Sequence, residues 1–128
     1  MYTGEIPSDV QAAYDALTIA QQAAFEAAVV GNRFCDVDRA ARTVLTEAGY
    51  GDLFIHRTGH GIGLEVHEEP YVTENNDSAI EIGHAFSIEP GVYLAGSWGM
   101  RLEDIVVISD DGSASRCNNQ VRGLVRVA

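Results

Sequence analysis

Residues 8–48 place their apolar side chains at three- and four-residue spacing, and beyond residue 50 that spacing stops. Val10, Ala13, Tyr14, Leu17, Ala20, Ala24, Phe25 and Ala28 form one stripe, and Val37, Ala40, Ala41, Val44, Leu45 and Ala48 form a second. A stripe of this period is an amphipathic helix, which must bury its apolar side against another layer. Ser8 with Gln11 reads as a capping box for the first helix and Gly31-Asn32 as its stop. Asp36 reads as the N-cap of the second helix, which ends at Gly49. Downstream, Phe54-Ile55-His56, Ala85 to Leu94 and Met100 to Ser109 read as strands, with Asp110-Asp111-Gly112 as a turn. Gln120 to Val127 alternates weakly and reads as a last short strand. Helices first and strands after predict an α+β arrangement, the helices resting on a sheet.

A chain of 128 residues is long enough to bury one core and too short for two. Its eight cations are all Arg and face 19 acids, for a net charge of −11. That balance argues against nucleic acid or an anionic membrane as partner, since both require clustered cations. No apolar run approaches the roughly 18–20 residues of a membrane span. Met1 to Pro7 shows neither the basic start nor the apolar stretch of a signal peptide, so a soluble, cytoplasmic protein is expected. Cys35 and Cys117 are too few and too distant to read as a disulfide framework or a thiolate zinc site. Residues 51–100 hold eight acids, one Arg and all four histidines, the mixture from which a metal site can be built.

Three segments carry the chemistry. In His56 to Pro70, HRTGHGIGLEVHEEP, three histidines alternate with Gly59, Gly61 and Gly63, which would allow tight turns and close approach of a ligand. Position 64 is Leu64, so the phosphate-binding pattern G-x-G-x-x-G fails, and there is no H-E-x-x-H. At least one histidine here is a candidate for metal or catalytic work; otherwise they are hydrogen-bonded strand-end residues. In FSIEPGVY, Glu89 ends a strand against the Pro90-Gly91 bend, where a scaffold can hold a carboxylate and still expose it. In MRLEDIVVI, alternation puts Arg101, Glu103, Ile105 and Val107 on one face and Leu102, Asp104, Val106 and Ile108 on the other. Both faces turn apolar past residue 104, so a strand buried on both sides is expected. A carboxylate on either face must then be paired or hold a cation. Arg101 could neutralise one locally; alternatively Glu103 binds a cation. His60 with Glu89 and Glu103 would suit Mn²⁺, Co²⁺, Zn²⁺ or Fe²⁺ better than thiolate-seeking metals.

HRTGHGIGLEVHEEP, FSIEPGVY and GMRLED, in this order and separation, resemble the pita-bread metallopeptidases. The likeness is to the Xaa-Pro dipeptidases (prolidases) and Xaa-Pro aminopeptidases in particular, and runs from about Gly4 to Val125. It implies a curved, mainly antiparallel sheet under the two helices. It also implies hydrolysis of the bond preceding proline in a dipeptide or peptide, by a metal-bound hydroxide. His60, Glu89 and Glu103 would be metal ligands, Glu89 also the general base, and Glu103 the bridge of a dinuclear site, with Mn as the first metal to consider. His67 would stabilise the tetrahedral intermediate and contact substrate, His56 would help bind substrate, and Arg101 would support the carboxylates. His84 falls where such proteins carry an apolar residue and is expected to be non-catalytic.

Two further ligands in these enzymes are aspartates on strands before the first of these helices. Met1 to Pro7 contains no Asp, and Asp9, Asp15, Asp36 and Asp38 do not match the pattern. Residues 1–128 are therefore expected to form the C-terminal portion of a catalytic domain with three of five ligands, weakly active or inactive alone. Self-association, or association with the missing half, would follow. The alternative is a non-catalytic or metal-free peptide-binding member of the same fold.

Overall fold

The computed structural model describes residues 2–127. In chain order the elements are β1 (Tyr2–Thr3), α1 (Ser8–Ala27), α2 (Phe34–Glu47), a 3-10 turn (Gly51–Leu53), β2 (Gly59–Gly61), β3 (Glu68–Val72), β4 (Ala85–Ile88), β5 (Gly91–Leu94), β6 (Trp98–Arg101), β7 (Asp104–Ile108), β8 (Ala114–Arg116) and β9 (Arg126–Val127). Five strands form an antiparallel sheet in the order β3-β2-β4-β7-β8. β5 and β6 form a separate antiparallel hairpin, and β1 runs parallel to β9.

The helical periodicity holds. α1 buries Ala13, Leu17, Ala20 and Ala24, and α2 buries Phe34, Val37, Ala41 and Leu45. Phe34 meets Phe86 of β4 edge-on at 5.2 Å, joining the helix layer to the sheet. Ile80, Ile88, Val92, Val106 and Ile108 complete the core.

The helix starts differ from expectation. Pro7, extended at φ −61° and ψ 147°, precedes α1, and no side chain caps it. Gln11 instead donates to Asp15 Oδ1 at 2.7 Å. α2 begins at Phe34, so Asp36 lies inside its first turn and accepts the Arg33 N–H at 3.0 Å. That backbone hydrogen bond holds the Asp36 carboxyl below the usual range. Phe54 to His56 is not a strand: the 3-10 turn leads into irregular backbone there. Ala85 to Leu94 is two strands parted by Glu89-Pro90, and Met100 to Ser109 is parted at Leu102-Glu103.

β7 is fully buried on one face only. Leu102, Asp104, Val106 and Ile108 point inward, while Arg101 and Glu103 are exposed and Ile105 and Val107 half-buried. The carboxylate that needs neutralising is therefore Asp104, and Arg101 is not its partner. Gln21 of α1 donates to Asp104 Oδ2 at 2.7 Å, as does Arg116 at 2.8 Å, and Arg122 pairs with the same oxygen. Asn118 and Gln120 each donate to Oδ1 at 2.8 Å. Residues 116, 118, 120 and 122 thus turn alternate side chains onto one carboxylate. Burial alone would raise its pKa, but the hydrogen bonds from Arg122, Asn118 and Arg116 and the Arg122 charge outweigh it and hold the group at about 2.

Among the described residues, no helix is long and apolar enough to cross a membrane. Cys35 is buried and Cys117 exposed, and both are free.

Candidate active site

β2 is squeezed between two neighbours, and its glycines answer to that. A Cβ on Gly59 would lie 2.8 Å from the Ser87 carbonyl carbon and nearer still to its oxygen; one on Gly61 would lie 2.5 Å from the Glu69 carbonyl oxygen. Neither glycine adopts a positive φ, so close strand approach, not tight turning, requires them. This approach brings His60, between the glycines, beside the end of β4, where Glu89 begins the bend to Pro90.

His60 Nε2 stands 3.0 Å from Glu89 Oε1, with both side chains at least nine-tenths buried. His60 Nδ1 lies 3.0 Å from the Gly61 carbonyl, which can only accept, so Nδ1 carries the hydrogen. In the neutral ring Nε2 is then a lone pair facing a carboxylate. Two acceptors at this separation repel unless a proton or a cation lies between them. An imidazole whose second nitrogen donates to a backbone carbonyl is also the usual support for a metal-ligating histidine. The pair therefore fits a divalent cation.

Glu89 is held from three further directions. Ser87, two residues back on the same strand face, donates to Oε1 at 2.9 Å, and its hydroxyl accepts the His60 N–H at 3.0 Å. Arg101 Nη1 reaches Oε2 at 3.3 Å. The Glu89 N–H donates to the Thr58 carbonyl at 2.7 Å. His67 stacks at a tilt on His60, ring centres 4.3 Å apart. His56 sits between Phe54 and Tyr93, at 5.1 and 5.6 Å.

His56, Arg57, His60, His67, Glu89 and Arg101 line one cleft of about 480 Å³. An adjoining cleft of about 350 Å³ shares His60, His67, Glu89 and Arg101 and adds Glu103, Ile105 and the 62–66 loop. All the expected residues thus lie around two joined clefts, but Glu103 is at an exposed rim. Among the described residues, no three His, Cys, Asp or Glu side chains converge closely enough to hold a metal ion. His84 stands apart, 5.5 Å from Phe34, with Nδ1 accepting the Glu81 N–H. Ser87 and Arg57 were missed from sequence. Ser87 was findable, since it lies two residues before Glu89 on a strand and so shares its face. Arg57, whose guanidinium lies 4.5 Å over the Tyr71 ring, gives no such signal.

A layered pair of helices on this sheet, with histidine and carboxylate meeting at a strand end, is the frame of the pita-bread peptidases. Residues 1–110 match the model of metallopeptidase family M24, and the chain belongs to that family. It is 56% identical over 112 residues to the probable dipeptidase PepE of Mycobacterium tuberculosis, covering 88% of this chain and 30% of that protein. It is 48% identical over 109 residues to the Xaa-Pro dipeptidase of Lactobacillus delbrueckii, covering 85% and 30%. The crystal structure of dipeptidase PepE from Mycobacterium ulcerans superposes with a TM-score of 0.94 at 49% identity, covering 98% of this chain and 33% of that one. The chain thus spans about a third of the length of these relatives.

Proposed function

We propose that this chain is the C-terminal portion of a metallopeptidase catalytic domain that hydrolyses Xaa-Pro bonds, as dipeptidase or aminopeptidase. The observation that carries the reading is the buried contact of His60 Nε2 with Glu89 Oε1, two acceptors that a bound cation between them would satisfy as a proton does. The name of the Lactobacillus relative, an Xaa-Pro dipeptidase, supports the substrate class. His60 and Glu89 would hold the metal, with Glu103 joining from the rim. Mn²⁺ is the metal we propose first, and Co²⁺, Zn²⁺ and Fe²⁺ suit the same donors. When bound, the cation supplies Lewis acidity and makes water acidic near neutral pH.

Glu89 takes the proton of the attacking water at Oε2, which only the longer Arg101 contact engages, while Ser87 and His60 hold Oε1. His67 donates to the substrate carbonyl as it gains charge. His56 binds the substrate beside it, and Arg101 balances and orients Glu89. The rest of the ligand set would come from the portion of such an enzyme that this chain does not span, or from a second copy. Leu64 and Val66, 103% and 74% exposed beside the second cleft, are apolar surface that such a partner would cover. Two free cysteines fit a cytoplasmic setting.

Titration with Mn²⁺ should broaden the His60 and His67 nuclear magnetic resonance signals and spare His84, and His60→Ala should abolish the effect. Absence of broadening, or its persistence in His60→Ala, overturns the metal assignment. The chain alone should turn over Xaa-Pro substrates far below the roughly 1–10³ s⁻¹ of ordinary enzymes, and recover on recombination with the remainder of a catalytic domain. Enzyme-like turnover by the chain alone overturns the division of ligands.

A further inference from the structure

Asp38 is fully buried on α2, outside the proposed ligand set, and needs a reason to be there. It forms an i,i+4 ion pair with Arg42, whose Nε reaches Oδ2 at 2.6 Å and whose Nη2 reaches Oδ1 at 3.2 Å. The pair does more than neutralise itself. Arg42 Nη2 donates to the His56 carbonyl at 2.7 Å and Nη1 to the Phe54 carbonyl at 3.2 Å, and the guanidinium lies 4.2 Å over the Phe54 ring. Asp38 Oδ1 accepts the Thr58 hydroxyl at 2.6 Å and its backbone N–H at 3.3 Å.

These contacts grip the two consecutive peptide groups that follow His56. Arg42 holds the first by its oxygen, and Asp38 Oδ1 shares the N–H of the second with the Val72 carbonyl, which lies 3.0 Å from it. A peptide group is planar, so fixing the Thr58 N–H aims the Arg57 carbonyl the opposite way. That carbonyl is 2.7 Å from His56 Nδ1 and can only accept, which makes Nδ1 the protonated nitrogen. His56 Nε2 is left a buried acceptor with no partner among the described residues, against Gly91. The same Thr58 that Asp38 holds accepts the Glu89 N–H.

We propose that Asp38 and Arg42 are positioning residues: together they set the tautomer of His56 and tie the backbone at Glu89 to α2. The inference gives His56 a use only through the peptidase reading above, but its geometry stands apart from that reading.

Imidazole ¹H–¹⁵N spectra of the ¹⁵N-labelled chain test it. His56 should be Nδ1–H and His84 Nε2–H, an internal contrast within one sample. Arg42→Gln should shift the His56 tautomer ratio toward Nε2–H by roughly tenfold, the equivalent of one net hydrogen bond, with His84 unmoved. Arg42→Lys keeps the charge opposite Asp38 but cannot also reach both carbonyls. It should preserve the fold and still release His56, which decides the matter if Arg42→Gln unfolds. An unchanged His56 pattern in folded Arg42→Lys overturns the proposal, as does a common shift of His56 and His84. Loss of Mn²⁺ broadening at His60 with the His56 contrast intact would sink the peptidase reading and leave the clamp standing.

Discussion

Asp104→Ala is expected to destabilise the chain by about 3–5 kcal/mol, a drop of roughly 10–20 °C in Tm, because it strips a buried network of its centre. Arg116 and Arg122, with side chains only 25% and 35% exposed, would lose their counter-charge, and Gln21, Asn118 and Gln120 their acceptor. The same group predicts an acid limb. Its carboxyl titrates at about 2 when folded against 3.8 unfolded, so the unfolded chain takes the proton first. The stabilisation is complete above the unfolded value and drains away as pH falls from about 4 to about 2. Allowing for solvent around the two Arg, the pH-dependent part is on the order of 1–2 kcal/mol. Urea melts near pH 5 and near pH 2.5 measure it. Asp104→Ala should lose that contribution to the slope, and an unaltered slope would show that the stabilisation has been misplaced.

Gly59→Ala is expected to be the most damaging single methyl in the sheet, at about 3 kcal/mol or more. The added carbon would drive into the Ser87 backbone, and backbone cannot swing aside. β2 would have to leave β4, breaking the His60 N–H to Ser87 contact and with it the His60–Glu89 pair. Thermal melts should show the loss, and Mn²⁺ broadening should vanish in whatever remains folded. Gly63→Ala is the control. There the nearest atoms belong to the far end of the flexible Glu68 side chain, which can rotate at the loss of one exposed hydrogen bond from the Glu65 N–H, so about 1 kcal/mol or less is expected. Equal damage from the two substitutions would remove the steric account.

The parts that sequence made legible were those set by near neighbours. Leu17, Ala20 and Ala24 are buried because helical period alone places them on one side, and Glu89 ends its strand because Pro90 follows it. His56, His60, His67 and Glu89 do surround joined clefts, although Glu103 stays at the rim. The family likeness carried their roles, and helical period did not. What stayed hidden depends on partners far along the chain. Asp38 is buried because Thr58 lies over it, and Asp104 because Gln21 and Arg122 close on it from opposite ends of the sequence. Phe54 to His56 has strand composition, yet Arg42 takes the Phe54 and His56 carbonyls. Neither side-chain alternation nor local propensity records a bond of that kind.

The alternating Arg116, Asn118, Gln120 and Arg122 also impose an order of events during synthesis. α1 is made before the sheet, and its Gln21 must wait for Asp104 and then for Arg122. Until those four side chains emerge from the ribosome, closing β7 onto β4 would bury a carboxylate lacking most of its donors. The unpaired Asp104 charge would oppose closure of the sheet until residues 116–122 have been made.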